Sequence, residues 1–124
     1  MPSRATALAG VLDVAAVLTF VAIGRSSHQH GITAAGMAST SWPFLAGLAA
    51  GWTVARAWRR PLEIGPTAVI VWLSCVVVGM ALRVVAGQGT AVAFIAVALV
   101  FLGLELLGWR AMAQVGTGLS KRRR

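Results

Sequence analysis

Four apolar stretches fill most of this 124-residue chain, and the positive charge at their ends alternates from one stretch to the next. Arg4, the cluster Arg56, Arg59 and Arg60, and the set Arg110, Lys121, Arg122, Arg123 and Arg124 lie at ends that an even number of crossings brings together. Only Arg25 and Arg83 fall at the opposite ends, so nine of the eleven basic residues share one side. Lys and Arg beside a membrane span are retained in the cytoplasm. The pattern therefore predicts an all-α, integral membrane four-helix bundle with both termini cytoplasmic, in a bacterial plasma (inner) membrane.

Composition agrees with a lipid solvent. A chain that is 58% hydrophobic and 11% charged, with a mean hydropathy of +0.82, has too little polar side chain to cover a soluble globule. Hydrocarbon offers the backbone no hydrogen-bond partners, so the crossing segments must be helices. At about 20 residues per span the chain accommodates one domain and no extramembrane module. The spans are expected at 5–24, 42–58, 64–87 and 90–112, followed by a basic cytoplasmic tail at 113–124. The net charge of +8 raises the question of nucleic acid, but Lys121 to Arg124 follow closely on a span, where each basic residue gains about 1 kcal/mol from an anionic leaflet. The bilayer and its anionic lipids are thus the expected partners, and nucleic acid is not. The lone Cys75 rules out an intramolecular disulfide.

The first apolar run, from Ala5 to Gly24, carries Asp13 and lacks a small-x-small cleavage site, so it reads as a retained helix and not a secretory signal. Nine strongly apolar residues, each contributing about 0.3 to 0.6 kcal/mol, offset the roughly 2.5 to 3.5 that one Asp costs. The polar segment 25–41, with His28, His30, Gly31 and Gly36, reads as an outer loop. Trp42-Pro43 then suits a helix start, because proline's missing donor is no loss in a first turn. Within that span, Gly47-Leu48-Ala49-Ala50-Gly51 forms a GxxxG that admits a close helix backbone, either within the molecule or at a dimer face. Trp42, Trp58 and Trp109 fall at expected interfaces. A faint repeat pairs Arg25 with Arg83, 58 positions on, and Gly51-Trp52 with Gly108-Trp109, 57 on, as two parallel hairpins would.

Chemistry must come from the few polar side chains within the spans. At about 1.5 Å rise per residue, Asp13 and Glu105 both reach the cytoplasmic half, at the level of Arg56 and Arg110. Charges in hydrocarbon face the bundle interior and pair, so an inner cluster of Asp13, Arg56, Glu105 and Arg110 is expected. Two readings are open: fixed ion pairs that set helix register, or a proton or cation carrier. At the other end Arg25, His28 and Arg83 form an outer polar group suited to an anionic head group or a small anion, or to arginines snorkelling to lipid phosphates. His28 and His30 have no Cys or acid nearby to complete a metal shell, and haem ligation would require His within spans, so no metal and no cofactor is expected. With no nucleophile-base-acid set, P-loop or dinucleotide fingerprint, enzyme activity is not expected.

The stretch from Asp13 through Phe20 to Gly24-Arg25-Ser26-Ser27-His28, the Trp42-Pro43-Phe44-Leu45 entry, Arg83, and Leu107-Gly108-Trp109-Arg110 together resemble an uncharacterised family of small four-span membrane proteins from actinobacteria and haloarchaea. The resemblance covers nearly the whole chain and implies no biochemical activity. Its hallmark residues correspond to Asp13, Gly24, Arg25, His28, Pro43, Phe44, Gly79, Arg83, Gly108, Trp109 and Arg110, and leave out Glu105 and the basic tail. The richness in Ala, Val, Gly and Arg fits a GC-rich actinobacterial genome. In size and layout the chain is also similar to small multidrug-resistance transporters, which carry an essential acid in their first helix; it lacks their tyrosine. The expected role is structural or partner-binding, as a homo-oligomer or with another membrane protein. The alternative is a small proton- or ion-coupled transporter centred on Asp13.

Overall fold

The computed structural model describes residues 3–27 and 31–122, with backbone alone for Ser27 and for 118–122. His28 and His30 lie outside the described residues, as do Arg123 and Arg124. Four α-helices follow in order: α1 (Arg4–Ser27), α2 (Ala34–Ala55), α3 (Val69–Val85) and α4 (Val92–Arg122). The backbone enters α3 through a π-type turn at Ile64–Ala68.

Three helical segments, Arg4–Ser26, Ile64–Val85 and Val92–Thr117, are long and apolar enough to cross a membrane. Their outward faces are apolar without cover: Leu8, Val11, Val77, Val100 and Leu104 are each at least 60% exposed. Such a surface suits hydrocarbon and not water.

α2 departs most from expectation. It begins eight residues before Trp42, where the Thr33 hydroxyl accepts a 3.0 Å bond from the Gly36 amide and caps the first turn. The polar run Ser39-Thr40-Ser41, read as loop, is therefore helical, and Pro43 stands inside the helix. Proline deprives the carbonyl four residues back of its helical donor. That carbonyl, on Ser39, instead accepts a 3.1 Å bond from Gln88 Nε2. The turn between α3 and α4 thus completes a gap in α2 and is tied to it.

Further along, the GxxxG of α2 packs within the molecule. A Cβ on Gly47 would lie 2.6 Å from the Cys75 carbonyl oxygen, and one on Gly51 would lie 2.8 Å from the Val71 Cα. Only glycine permits this approach of α2 to α3. All four phenylalanines of the chain meet in the outer half of the core. The Phe20 ring stands edge-on to Phe44 at 5.5 Å and lies 6.0 and 5.7 Å from Phe94 and Phe101. Edge-to-face and tilted contacts of this kind add to the burial itself.

α4 continues past Met112, where the apolar run stops, and is helical through Arg122. At 31 residues it measures about 46 Å, longer than a hydrocarbon core of about 30 Å. The segment taken from sequence as a tail begins as a further stretch of helix, and its Gln114 Nε2 donates to the Leu62 carbonyl at 2.9 Å.

Candidate functional site

The inner half of the bundle is organised around one carboxylate. Asp13 and Arg110 are fully buried and form a bidentate pair, with Nη1 to Oδ1 at 2.9 Å and Nη2 to Oδ2 at 2.8 Å. Two indole N–H groups complete the shell: Trp109 donates to Oδ1 and Trp52 to Oδ2, each at 2.8 Å. Each oxygen accordingly accepts two charge-assisted or indole donors, which fills the lone-pair capacity of a carboxylate. Arg110 is held as firmly. Its Nε donates to the Pro61 carbonyl at 2.8 Å and its Nη1 also to the Leu106 carbonyl at 2.9 Å, while the guanidinium carbon lies 4.5 Å from the Trp109 ring centroid. One ion pair therefore joins α1, α2, α4 and the connection from α2 to α3.

That connection is anchored at several further points. The Thr6 hydroxyl of α1 donates to the Trp58 carbonyl at 3.0 Å. Glu63 accepts from the Thr67 hydroxyl at 2.9 Å and from Arg60 Nη1 at 3.2 Å, and these two bonds hold its carboxyl below its ordinary range, Thr67 contributing most.

The opposite end of the bundle holds a cavity of about 650 Å³ between α1, α4, the outer half of α2 and the α3–α4 turn. Arg25 and Arg83 both line it. Arg25 Nε donates to the Gly31 carbonyl at 2.9 Å and its Nη1 to the Thr40 hydroxyl at 3.0 Å. Arg83 Nε and Nη2 donate to the Gly89 carbonyl, its Nη1 bonds Gln88 Oε1 at 2.9 Å, and the guanidinium sits 4.2 Å from the Phe94 ring centroid. In both cases the arginine Nε reaches the carbonyl of a glycine six residues on. The faint sequence repeat thus has a structural counterpart at each end of the bundle: paired arginine clasps at one, and Trp52 with Trp109 on the two oxygens of Asp13 at the other.

A family described as Protein of unknown function (DUF3054) matches residues 10–113. The chain belongs to that family. The DUF3054 match spans both groups of residues, including the whole Asp13 shell and both outer arginines. No curated protein and no solved structure matches the chain.

Within this DUF3054 chain the expected inner cluster forms only in part. Asp13 and Arg110 meet; Arg56 and Glu105 do not join them. α2 ends at Ala55, and Arg56 adopts a left-handed backbone with φ 52° that closes the helix and leaves the residue exposed. Glu105 lies partly buried on α4, with Oε1 enclosed and lacking a hydrogen-bond partner among the described residues. Equal height along neighbouring helices brought the four residues together in sequence, but angular position and backbone turn decide contact. Of the outer group, Arg25 and Arg83 share the cavity, and His28 lies outside the described residues. Among the described residues no group of His, Cys, Asp and Glu is placed to hold a metal.

Three participants were not anticipated. Trp52 was noted only as part of a repeat, and Trp109 was assigned to the interface, although its indole turns inward to Asp13. The repetition of Gly-Trp at equivalent depth was the available signal. Gln88 falls between the spans expected at 64–87 and 90–112, and Pro43, whose ring leaves the Ser39 carbonyl without its helical donor, is the clue to its role.

Proposed function

We propose that this chain is a non-enzymatic, multi-pass protein of the bacterial plasma membrane. It crosses four times with both termini in the cytoplasm, and Asp13 and Arg110 lock the inner end of a scaffold that serves binding. The observation that carries this reading is the filled shell of Asp13, in which four N–H donors occupy both oxygens. A carboxylate so engaged has no lone pair left for a transported proton or cation. A transporter centred on Asp13 would have to break the pair in each cycle and leave a buried charge uncompensated.

Asp13→Asn and Arg110→Gln, purified in detergent, are expected to lose similar stability, about 3 to 5 kcal/mol each, read by denaturant titration followed by tryptophan fluorescence. In proteoliposomes neither the parent nor Asp13→Asn should show pH-driven flux. Parent flux that vanishes in an equally stable Asp13→Asn variant would overturn the proposal in favour of transport.

A further inference from the structure

We propose that the outer cavity is a binding site for an anionic amphiphile, its oxyanion head held between Arg25 and Arg83 and its hydrocarbon tail laid along Phe20, Val21, Phe94 and Val97. Chemistry and shape both support this assignment, and neither depends on how Asp13 is used.

The charge at this end is one-sided. Two guanidiniums line the cavity and no carboxylate does. The three acids of the chain are Asp13, Glu63 and Glu105, and the first two are engaged with Arg110 and with Thr67 and Arg60. The Arg25 guanidinium also lies against the first turn of α2, where a Cβ on Gly36 would collide with it. A helix N-terminus carries positive potential of its own, and this one has no acidic residue in its first turn. Two arginines and a helix start thus add positive potential around one opening, an arrangement that an oxyanion from outside the chain would compensate.

The arginines are also preorganised. Each guanidinium is clasped by a glycine carbonyl, and the side chains of Thr40 and Gln88 fix them further. Gln88 is itself tied to the Ser39 carbonyl exposed by Pro43. Little side-chain entropy remains to be lost when a ligand arrives.

Behind this charged rim the walls are apolar. Arg83 rests on the Phe94 ring, so the same aromatic surface supports the charge and begins the apolar path. Val97, further down α4, is 55% exposed, and the cavity therefore opens toward the flank of the helix as well as outward. A free inorganic anion would use the rim and leave these walls unmatched; a neutral lipid would use the walls and leave the charge uncompensated. The volume of about 650 Å³ falls within the usual range for small-ligand sites, about 300 to 1,000 Å³.

The test uses the full chain in an uncharged detergent, titrated by calorimetry with three probes: dioctanoyl phosphatidylglycerol, dioctanoylglycerol and inorganic phosphate. The charged lipid should bind at least about tenfold more tightly than either other probe, and more weakly as salt rises. Combined Arg25→Gln and Arg83→Gln should abolish that preference. Val97→Trp, which narrows the tail path at an exposed position, should weaken the charged lipid and leave phosphate unchanged, so the assignment does not depend on the double variant folding. Equal binding of dioctanoylglycerol, or full retention of lipid binding in a folded double variant, would overturn the proposal. Inorganic phosphate binding as tightly as the lipid would also overturn it, replacing the amphiphile with a free anion.

Discussion

Asp13 and Glu105 are both acids inside apolar helices, and their surroundings give them opposite consequences. Asp13 is surrounded by donors, so removing one of them leaves a buried acceptor unmet. Trp52→Phe removes the indole N–H together with the five-membered ring, and should cost at least about 1 to 3 kcal/mol for the unmet acceptor, with the space left by the smaller ring added to it. Glu105 Oε1 is enclosed without a partner among the described residues, so its polarity carries a desolvation cost that no bond there offsets. Glu105→Leu, beside the exposed Leu104, should therefore leave the protein at least as stable as the parent, while Trp52→Phe lowers stability. Denaturant titrations of both variants in the same detergent decide the point; a Glu105→Leu variant less stable than the parent would mean that the carboxyl has a partner in the assembled protein.

At the level of the helices, some glycines hold two backbones together and others merely lie in a helix. Gly47 and Gly51 belong to the first kind, pressed against Cys75 and Val71, whereas a Cβ on Gly108 would meet nothing within 4 Å. Gly47→Ala should lower stability by about 1 to 3 kcal/mol through overpacking. Gly108→Ala should raise it by up to about 1 kcal/mol through helix propensity alone, and thermal unfolding of the two variants should move in opposite directions. The same distinction shows how much could be read in advance. The GxxxG spacing was visible, as were the four helices, because apolar runs bounded by Arg, Pro and Gly are one-dimensional signals. The start of α2 was hidden because Ser39, Thr40 and Ser41 look like loop until Thr33 caps the helix and Gln88 answers the Ser39 carbonyl. Asp13 and Arg110 were legible as rare charges at similar depth. Trp52 was not, since a tryptophan in an apolar run has the same sequence appearance whether its N–H meets lipid or a carboxylate. Arg56 and Glu105 were misplaced for a related reason: rise per residue fixes height but says nothing of a left-handed turn or of the face a side chain occupies.

The molecule as a whole is closed at each end by a different device. The inner end is tied by the Asp13–Arg110 pair and the Thr6–Trp58 bond; the outer end is tied by arginine–glycine clasps and the Gln88–Ser39 bond. These ties set the α1–α2 connection beside the α3–α4 turn and opposite Arg59. α2 is not among the three segments apolar enough by themselves to cross a membrane, yet at 22 residues it measures about 33 Å, enough to cross a hydrocarbon core. Two of its polar groups have protein partners, Thr40 meeting Arg25 and the Ser39 carbonyl meeting Gln88, while the buried Ser41 hydroxyl has none among the described residues. Polar backbone and side chains are tolerated at membrane depth when other helices satisfy them, so α2 can cross as a member of the bundle although its hydropathy alone would not carry it. Single cysteines at exposed Ile32, Ala86 and Arg59 test this directly, with the buried Cys75 shielded from reagent. In intact cells a membrane-impermeant maleimide should label Ile32→Cys and Ala86→Cys, and should reach Arg59→Cys only after permeabilisation. Labelling of Arg59→Cys from outside would reverse or abolish the proposed orientation. An unlabelled Ile32→Cys beside a labelled Ala86→Cys would break the pairing of the two outer connections on which both the crossing of α2 and the arginine-lined cavity depend.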